Sequence, residues 1–482
     1  MKHRAQRIFT LHRLPALAVL LLGAAVVTCG AAAPSTRADT PPPFAFVSDS
    51  YPLPAIGPAD LPFAAKTVAP RVDPGYHDDQ GVRMRIVDGK PYDYPGGQAS
   101  WGMANLNSYL ITGDEFYLER ARAQAQRLID TSLHHEGAWF FPSMYTRDRH
   151  ARKGDRMQPP WFGCLGQGAG LALFCRLYEE TGDPRYSEAA GGAFAAFLQT
   201  GPVDAPWLVT IDDDGYLWFE EWPKRPVDHT LNGHGFAAFG VYEYWRVFGD
   251  EQARALFCGA ATTVRHYLPS FRRPGWVSRY CLLHGSPNRK YHVIHTDQLL
   301  KLYTLTGDAR FARLADTLSR DFPDPAATRG RLRVGRGAHA AFLFRAGGEI
   351  IGRRTLRVRA TRTRGIAARQ RVRGRGVFVQ LASGGLRGYW LRERPGIVYT
   401  TGAAATLKYV PSRRLTLEAG RRYVGRLITA GGRVTGTRSF TPAETETVAV
   451  SSRAVVNGVD RLLVTGGALD GSWLPAAGLR LQ

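Results

Sequence analysis

At 482 residues the chain is too long for one ordinary hydrophobic core, so two or three domains are expected. Five cysteines over this length exclude a scaffold that depends on disulfide staples, and with no CxxC pair a cysteine zinc site is not expected. The formal net charge of +22 is almost wholly arginine. On an exported protein that charge suits an anionic polysaccharide or cell-wall polymer better than nucleic acid, although arginine scattered over solvated faces gives the same total.

Residues 1–38 read as a signal peptide and tether. Lys2, Arg4, Arg7 and Arg13 precede the apolar run Leu14 to Val27, and Ala31-Ala32-Ala33 offers a cleavage site. The run is short for a membrane span. Val26-Val27-Thr28-Cys29 resembles a lipoprotein processing site, with Thr where a small residue usually precedes the Cys. A secreted or surface-held protein without a transmembrane span is expected. Pro34 to Pro43 is Pro-rich and tether-like, and residues 39–95 read as an extended or β segment.

Residues 96–325 carry a repeated turn. Thr112-Gly113-Asp114, Thr181-Gly182-Asp183, Phe248-Gly249-Asp250 and Thr306-Gly307-Asp308 each close one apolar-periodic stretch and open another. Gly suits the left-handed helix end and Asp caps the next start. Pro184 suits a first helical position. Four αα-hairpins in succession predict a mainly α fold, an (α/α) toroid or incomplete barrel with inserted β-hairpins and functional loops at one end. Cys175 and Cys258 fall among helical apolar residues and read as buried thiols.

Two segments inside this region carry chemistry. Trp218-Phe219-Glu220-Glu221-Trp222-Pro223 ends a β-like stretch with two carboxylates among aromatic rings. Either the pair is solvated, or one of them points into the rings, because adjacent strand residues face opposite ways. A carboxylate there would have a raised pKa and could serve as a general base or acid. Tyr291, His292 and His295 stand at the entrance of a helix, the two histidines on one face. Metal ligation, hydrogen bonding to a substrate or tyrosine, and a satisfied core pair are all compatible with that spacing. Asp212-Asp213-Asp214-Gly215 reads as a solvated turn. No GxGxxG, P-loop or GxSxG string occurs in a strand–turn–helix setting, so no nucleotide or other cofactor is expected and no metal is assigned.

From residue 326 to 482 alternation replaces helical spacing, as in Leu356-Arg357-Val358-Arg359 and Val377-Phe378-Val379, which predicts antiparallel strands. Between Arg329 and Arg375 fifteen arginines face one acid, Glu349. Gly347-Gly348…Gly352 recurs as Gly431-Gly432…Gly436, and Gly388-Tyr389-Trp390-Leu391 as Gly471-Ser472-Trp473-Leu474. A pair of β modules is expected. They resemble the Gly-Tyr-Trp-ending tail modules of secreted actinobacterial hydrolases, a likeness that implies no chemistry.

Over about Pro91 to Phe322 the sequence resembles the C-terminal catalytic domain of D-glucuronyl C5-epimerases. The strings that carry the likeness are Pro160-Trp161…Gly166-Gln167-Gly168, Trp218 to Pro223, Leu231-Asn232-Gly233, Tyr280, and Tyr291-His292-x-x-His295-x-x-Gln298-Leu299. The family inverts carbon 5 of uronate residues within a polysaccharide. The resemblance therefore implies proton transfer by Glu221 and Tyr291, with Tyr280 as a supporting phenol. It implies positioning or substrate contact for Glu220, Trp222, Trp161, Gln167, Asn232, His292, His295 and Arg289. Two positions depart from the animal pattern: Trp222 replaces a Tyr, and Leu283 replaces an Arg. Arg147, Arg279 and Arg289 are candidates to replace that lost cation. The large N-terminal β region of animal members has no counterpart, and the Arg-rich tail lies outside the family pattern.

The expected activity is that of a polysaccharide uronate C5-epimerase of the glucuronate/iduronate type. A polysaccharide lyase or glycoside hydrolase on the same toroid, and a non-catalytic binder of anionic polysaccharide, are the alternatives. A uronate-containing polymer is the expected partner, nucleic acid is not, and a homodimer is left open.

Overall fold

In this computed structural model, residues 41–200, 204–323, 331–345 and 348–482 are described. The leader, the tether up to residue 40 and Cys29 lie outside them, as do Arg329 and Gly347.

An N-terminal extended segment lies against the helices. Val47 N–H donates to the Gly215 carbonyl at 2.8 Å, and Asp49 N–H to Thr262 Oγ1 at 2.8 Å. Strands β1 (Met84–Val87) and β2 (Lys90–Asp93) form a small hairpin before the first helix.

Four helical hairpins follow: α1 (Pro95–Thr112) with α2 (Glu115–Asp130), α3 (Cys164–Thr181) with α4 (Pro184–Ala195), α5 (Leu231–Phe248) with α6 (Glu251–Phe271), and α7 (Arg289–Thr306) with α8 (Ala309–Asp321). At each turn the Gly takes a left-handed conformation, φ 67–69° at Gly113, Gly182, Gly249 and Gly307, which an L side chain would resist. Its N–H returns to a carbonyl of the closing turn, at Tyr109, Tyr178, Trp245 and Tyr303 respectively. The next Asp caps the following helix: Asp114 accepts from Phe116 N–H, Asp183 from Arg185, Asp250 from Ala253, Asp308 from Arg310.

The odd-numbered helices are each 18 residues long and neighbour one another in sequence as α1–α3–α5–α7. They form the inner layer of an arc, and each even-numbered helix backs its own partner. Between α2 and α3 come the hairpins β3 (Leu133–His135) with β4 (Ala138–Phe140) and β5 (Arg147–Asp148) with β6 (Arg156–Met157). Between α4 and α5 come β7 (Val209–Ile211) and β8 (Leu217–Phe219). These insertions all precede the N-terminus of an inner helix, so the loops collect at one end of the arc.

Beyond α8 the chain is all β. The first module holds β9 (Arg331–Val334), β10 (Gly337–Phe344), β11 (Ile350–Val358), β12 (Arg362–Val372), β13 (Gly376–Leu381), β14 (Trp390–Arg392) and β15 (Val398–Thr400). The second holds β16 (Ala403–Leu417), β17 (Tyr423–Ile428), β18 (Val434–Phe440), β19 (Glu446–Val456), β20 (Val459–Thr465) and β21 (Trp473–Pro475). Strand order is β11-β10-β14-β13-β12-β9-β15 in one and β18-β17-β21-β20-β19-β16 in the other. The first six places match, β15 is an added edge strand beside β9, and Trp390 and Trp473 open equivalent strands.

Packing separates the twins. The second module shares the helical core through Leu407, Tyr409 and Leu415, and Asp316 of α8 accepts from Tyr409 Oη (2.5 Å) and Arg413 (2.8 Å). The first has its own core around Leu332, Val334, Val379 and Leu391. It touches the helices through polar contacts, such as Arg289 to Gln370 Oε1 (2.8 Å) and Arg371 to the Arg320 carbonyl (3.0 Å).

Candidate active site

A cavity of about 370 Å³ opens where the inserted loops meet the inner-helix N-termini. The first turns of α1, α3 and α7 line it through Tyr94-Pro95-Gly96, through Gly163, Leu165 and Gly166, and through Asn288 and Tyr291. Partial positive charge at such ends favours an anionic ligand.

Glu221, in the loop after β8, faces this cavity. Its Oε1 accepts from Tyr280 Oη at 3.0 Å and its Oε2 from Asn232 Nδ2 at 3.1 Å. Gly233 makes the approach feasible: a Cβ there would lie 2.5 Å from Glu221 Cβ. Burial pushes the Glu221 carboxyl up to about 7, with the Asp228 charge adding to it, while Tyr280, Asn232 and Arg147 pull the other way. A carboxylate poised near neutrality can take a proton from a weak carbon acid and hand it on.

Two phenols and two indoles complete the walls. The Tyr280 and Tyr291 rings lie 4.3 Å apart. Burial first, then the Glu221 charge, raises both phenols, Tyr280 well above its usual range, so both are neutral at neutral pH. Trp161 and Trp222 stack at 5.4 Å with 23° between planes, and the Arg147 guanidinium sits 5.3 Å from the Trp222 ring. Flat apolar faces beside a cation suit a sugar ring that bears a carboxylate. Arg147 is the arginine that lines the cavity. Leu283 is 46 % exposed and outside the cavity lining, and Arg289 is committed to Gln370, Trp276 and Phe322.

Glu220, next in sequence to Glu221, does not reach the cavity. It is fully buried, with Oε1 at 2.8 Å from both Thr210 Oγ1 and His229 Nδ1. Strand alternation sends the two neighbours to opposite sides, and the substrate-contact role expected of Glu220 is corrected to a core one.

Gln167, His292 and His295 are absent from the cavity lining, and of the two roles expected of them, positioning or substrate contact, their hydrogen bonds fit positioning. The fourth residue of three inner helices performs one task. Gln167 accepts the Phe141 N–H (3.3 Å) and donates to the Ala193 carbonyl (3.1 Å). His234 accepts the Phe219 N–H and donates to the Ala260 carbonyl, both at 3.0 Å. His292 accepts the Ser278 N–H (2.9 Å) and donates to the Leu318 carbonyl (3.0 Å). The carbonyl is 26 residues downstream each time, on the backing helix or the turn that ends it. Each side chain thus clamps an inserted loop to its own hairpin. Two residues beyond each clamped N–H stands a cavity residue: Ser143, Glu221 and Tyr280.

The histidine clamps must be neutral, because Nδ1 accepts while Nε2–H donates. Burial accordingly pushes His234 down to about 4 and lowers His292. His295 Nδ1 lies 2.9 Å from Ser278 Oγ, and burial pushes its imidazole down to about 3. Both histidines thus turn Nδ1 to Ser278.

Sequence reasoning missed Tyr94, His150, Asn288 and Asp228. His150 sits in the charged turn Arg147-Asp148-Arg149-His150 at φ 53°, where no period marks it, yet its ring packs edge-on against Tyr280 at 4.8 Å. His234 carried a usable signal, since it holds the same place in α5 as His292 in α7.

Residues 135–320 match the family described as D-glucuronyl C5-epimerase C-terminus. An uncharacterized protein of Methanocaldococcus jannaschii is 31 % identical over 151 residues, 31 % of this chain and 48 % of that protein. The D-glucuronyl C5-epimerase of Caenorhabditis elegans is 23 % identical over 181 residues, 33 % of this chain and 28 % of that protein. The chain thus spans less than half the length of either curated relative. Among solved structures, cellobiose 2-epimerase from Bacillus thermoamylovorans overlaps 50 % of this chain and 63 % of its own at 12 % identity, with a TM-score of 0.39. Glu221, Tyr280 and Tyr291, with their clamps, all fall within residues 135–320, the stretch that matches the D-glucuronyl C5-epimerase C-terminus family.

Proposed function

We propose that this chain is a carbohydrate epimerase that inverts carbon 5 of uronate residues within a polysaccharide, by removing a proton from one face and returning one to the other. The observation that carries the reading is Glu221, a desolvated carboxylate with a pKa of about 7, held by Tyr280 and Asn232 in a cavity that Tyr291 and Arg147 also line.

In this scheme the Glu221 carboxylate takes the carbon-5 proton. The C–H electron pair moves into the adjacent carboxylate and gives an enediolate. Arg147 and the Tyr280 hydroxyl stabilise its added charge. Tyr291 then delivers a proton to carbon 5 from the opposite face. Atoms and charge balance, and the two groups exchange protonation states, which solvent resets. A turnover in deuterated water therefore leaves deuterium on carbon 5.

The polymer is proposed to be anionic. Supporting this, a hollow of about 700 Å³ beside the 274–275 turn is lined by Arg371, Arg373, Arg375 and Arg392 together with Phe342, Phe344 and Phe378. Among the described residues no helix is long and apolar enough to cross a membrane. Export is proposed from the leader-like residues 1–33 alone.

The same enediolate could instead expel the 4-linked sugar, as in a lyase. A glycoside hydrolase fits less well, since it needs a pair of carboxylates and Glu221 is the sole carboxylate lining the cavity among the described residues. Incubation with glucuronate-containing polymers in deuterated water tests the proposal. Deuterium at carbon 5 without unsaturated ends is the expected result, and its loss in Glu221→Gln should follow. Ultraviolet-absorbing ends would make the chain a lyase, and exchange retained in Glu221→Gln would remove Glu221 from the mechanism.

A further inference from the structure

Behind the Tyr280 wall, four side chains from three separate loops converge: His150, Asp228, Cys281 and His284. One ligand-type atom from each lies within 4.8 Å of all the others. His150 Nε2 is in contact with Asp228 Oδ2, and Cys281 Sγ lies 3.4 Å from His284 Nδ1. With Zn–N near 2.1 Å and Zn–S near 2.3 Å, a tetrahedral site has N···S edges of about 3.6 Å. The observed Cys–His edge is close to that, and the whole set closes on one ion with shifts of about an ångström.

The atoms left over are arranged as outer partners of such a site. Asp228 Oδ1 accepts from Thr230 Oγ1 at 2.9 Å, and His284 Nε2 lies 3.5 Å from Asp155 Oδ2. Carboxylate and hydroxyl partners of this kind orient metal ligands and fix the imidazole tautomer. Asp228 and Cys281 are fully buried, and the side chains of His150 and His284 are 5 % and 11 % exposed. The second His150 nitrogen, Nδ1, is buried without a hydrogen-bond partner.

We infer that His150, Asp228, Cys281 and His284 form a structural binding site for a divalent cation of the zinc class. Two nitrogens, one thiolate and one carboxylate suit a borderline-soft ion. On binding, Cys281 releases its proton to solvent, and thiolate plus carboxylate balance the dication. All four positions come from the protein, so the ion fastens loops rather than performing chemistry. It ties the turn carrying Arg147 to residues 228 and 281–284, which flank Tyr280. The inference rests on the geometry of these residues and is independent of the reaction proposed above.

Cobalt(II) titration of the full-length, chelator-treated protein tests it. One equivalent should bind, with a near-ultraviolet thiolate-to-cobalt charge-transfer band and the strong visible bands of tetrahedral cobalt. Cys281→Ser should lose the charge-transfer band, and His284→Gln should weaken binding at least tenfold. Zinc should raise the melting temperature of the wild type by several degrees and leave Cys281→Ser unmoved. Less than about a tenth of an equivalent bound by wild-type protein that is folded by circular dichroism would overturn the inference, as would a charge-transfer band that survives in Cys281→Ser. If either variant fails to fold, the wild-type stoichiometry and thiolate band decide alone. Metal binding without carbon-5 exchange would keep this site and remove the proposed reaction; exchange without binding would do the reverse.

Discussion

The α5 and α7 hairpins solve one problem twice and then diverge. In each, the fourth residue of the inner helix is a neutral histidine that holds a loop N–H on one side and a carbonyl of the backing helix on the other. In each, the residue two places beyond the clamped N–H reaches the cavity. On the α5 side that residue is Glu221, and on the α7 side it is Tyr280. The α3 hairpin repeats the frame with Gln167 as clamp and Ser143 as the presented residue. Loop placement is thus a property of the repeat, and chemistry is a property of the single residue each loop presents. This also explains why His292 and Gln167 stand in the motifs without touching the cavity.

The largest effect separating the two roles is expected at Glu221. Glu221→Gln should lower carbon-5 exchange by about 10³-fold or more. Its stability should run the other way. Burial raises the folded-state pKa from 4.5 to about 7, so the neutral form is the one the fold prefers. That preference is complete below pH 4.5 and is lost as pH rises to about 7, so the ionised group costs the wild type on the order of 3 kcal/mol above that. Glu221→Gln should therefore melt no lower than wild type at pH 8, measured by calorimetry. A large loss of stability would mean that Glu221 also holds the loop.

Tyr291→Phe should reduce exchange by about 10²-fold with the fold intact, since one proton-transfer group is lost and the ring stays. A variant as active as wild type would leave the second face of the sugar without its donor. In the wild type, kcat/KM for exchange should fall about tenfold per pH unit below about 7, where Glu221 is protonated, and level off above it. A flat profile between pH 5 and 7 would assign the base elsewhere.

The smallest effects test the clamps. His292→Leu should cost about 1–3 kcal/mol, because it leaves a buried N–H and a buried carbonyl unpaired. His292→Gln should cost much less, since Gln167 already does this work in α3. Exchange per folded molecule should change only a few-fold in either variant. If Gln and Leu prove equally damaging in urea titrations, the three clamps are not equivalent.

The helical hairpins were legible because their signal is local. Gly at a left-handed helix end and Asp at the next cap act over four residues. The twin β modules were legible for a related reason, since Gly-Gly turns and the Trp strand recur in order. Glu221 could be told from Glu220 only through the resemblance, because alternation says the two face opposite ways without saying which side holds the cavity. His292 and His295 had the right chemistry for a site, and only the positions of Ser278 and Leu318 show that His292 is spent on backbone groups and His295 on the Ser278 hydroxyl. The contact of Arg289 with Gln370 was hidden for the same reason, since the two lie 81 residues apart and Gln370 is in the β region.

By itself the sequence determined the repeating helical frame, the change to β structure and the kinds of groups available for proton transfer, because caps, turns and periodicity are short-range constraints. Tertiary structure alone decided which of these groups meet. The pairing of Glu221 with Tyr280 and Asn232, the turning of Glu220 into the core, and the convergence of His150, Asp228, Cys281 and His284 all join residues from separate elements and loops. Such meetings depend on how the inner helices stack, and desolvation, which raises the Glu221 pKa, exists only once that stacking has closed around it.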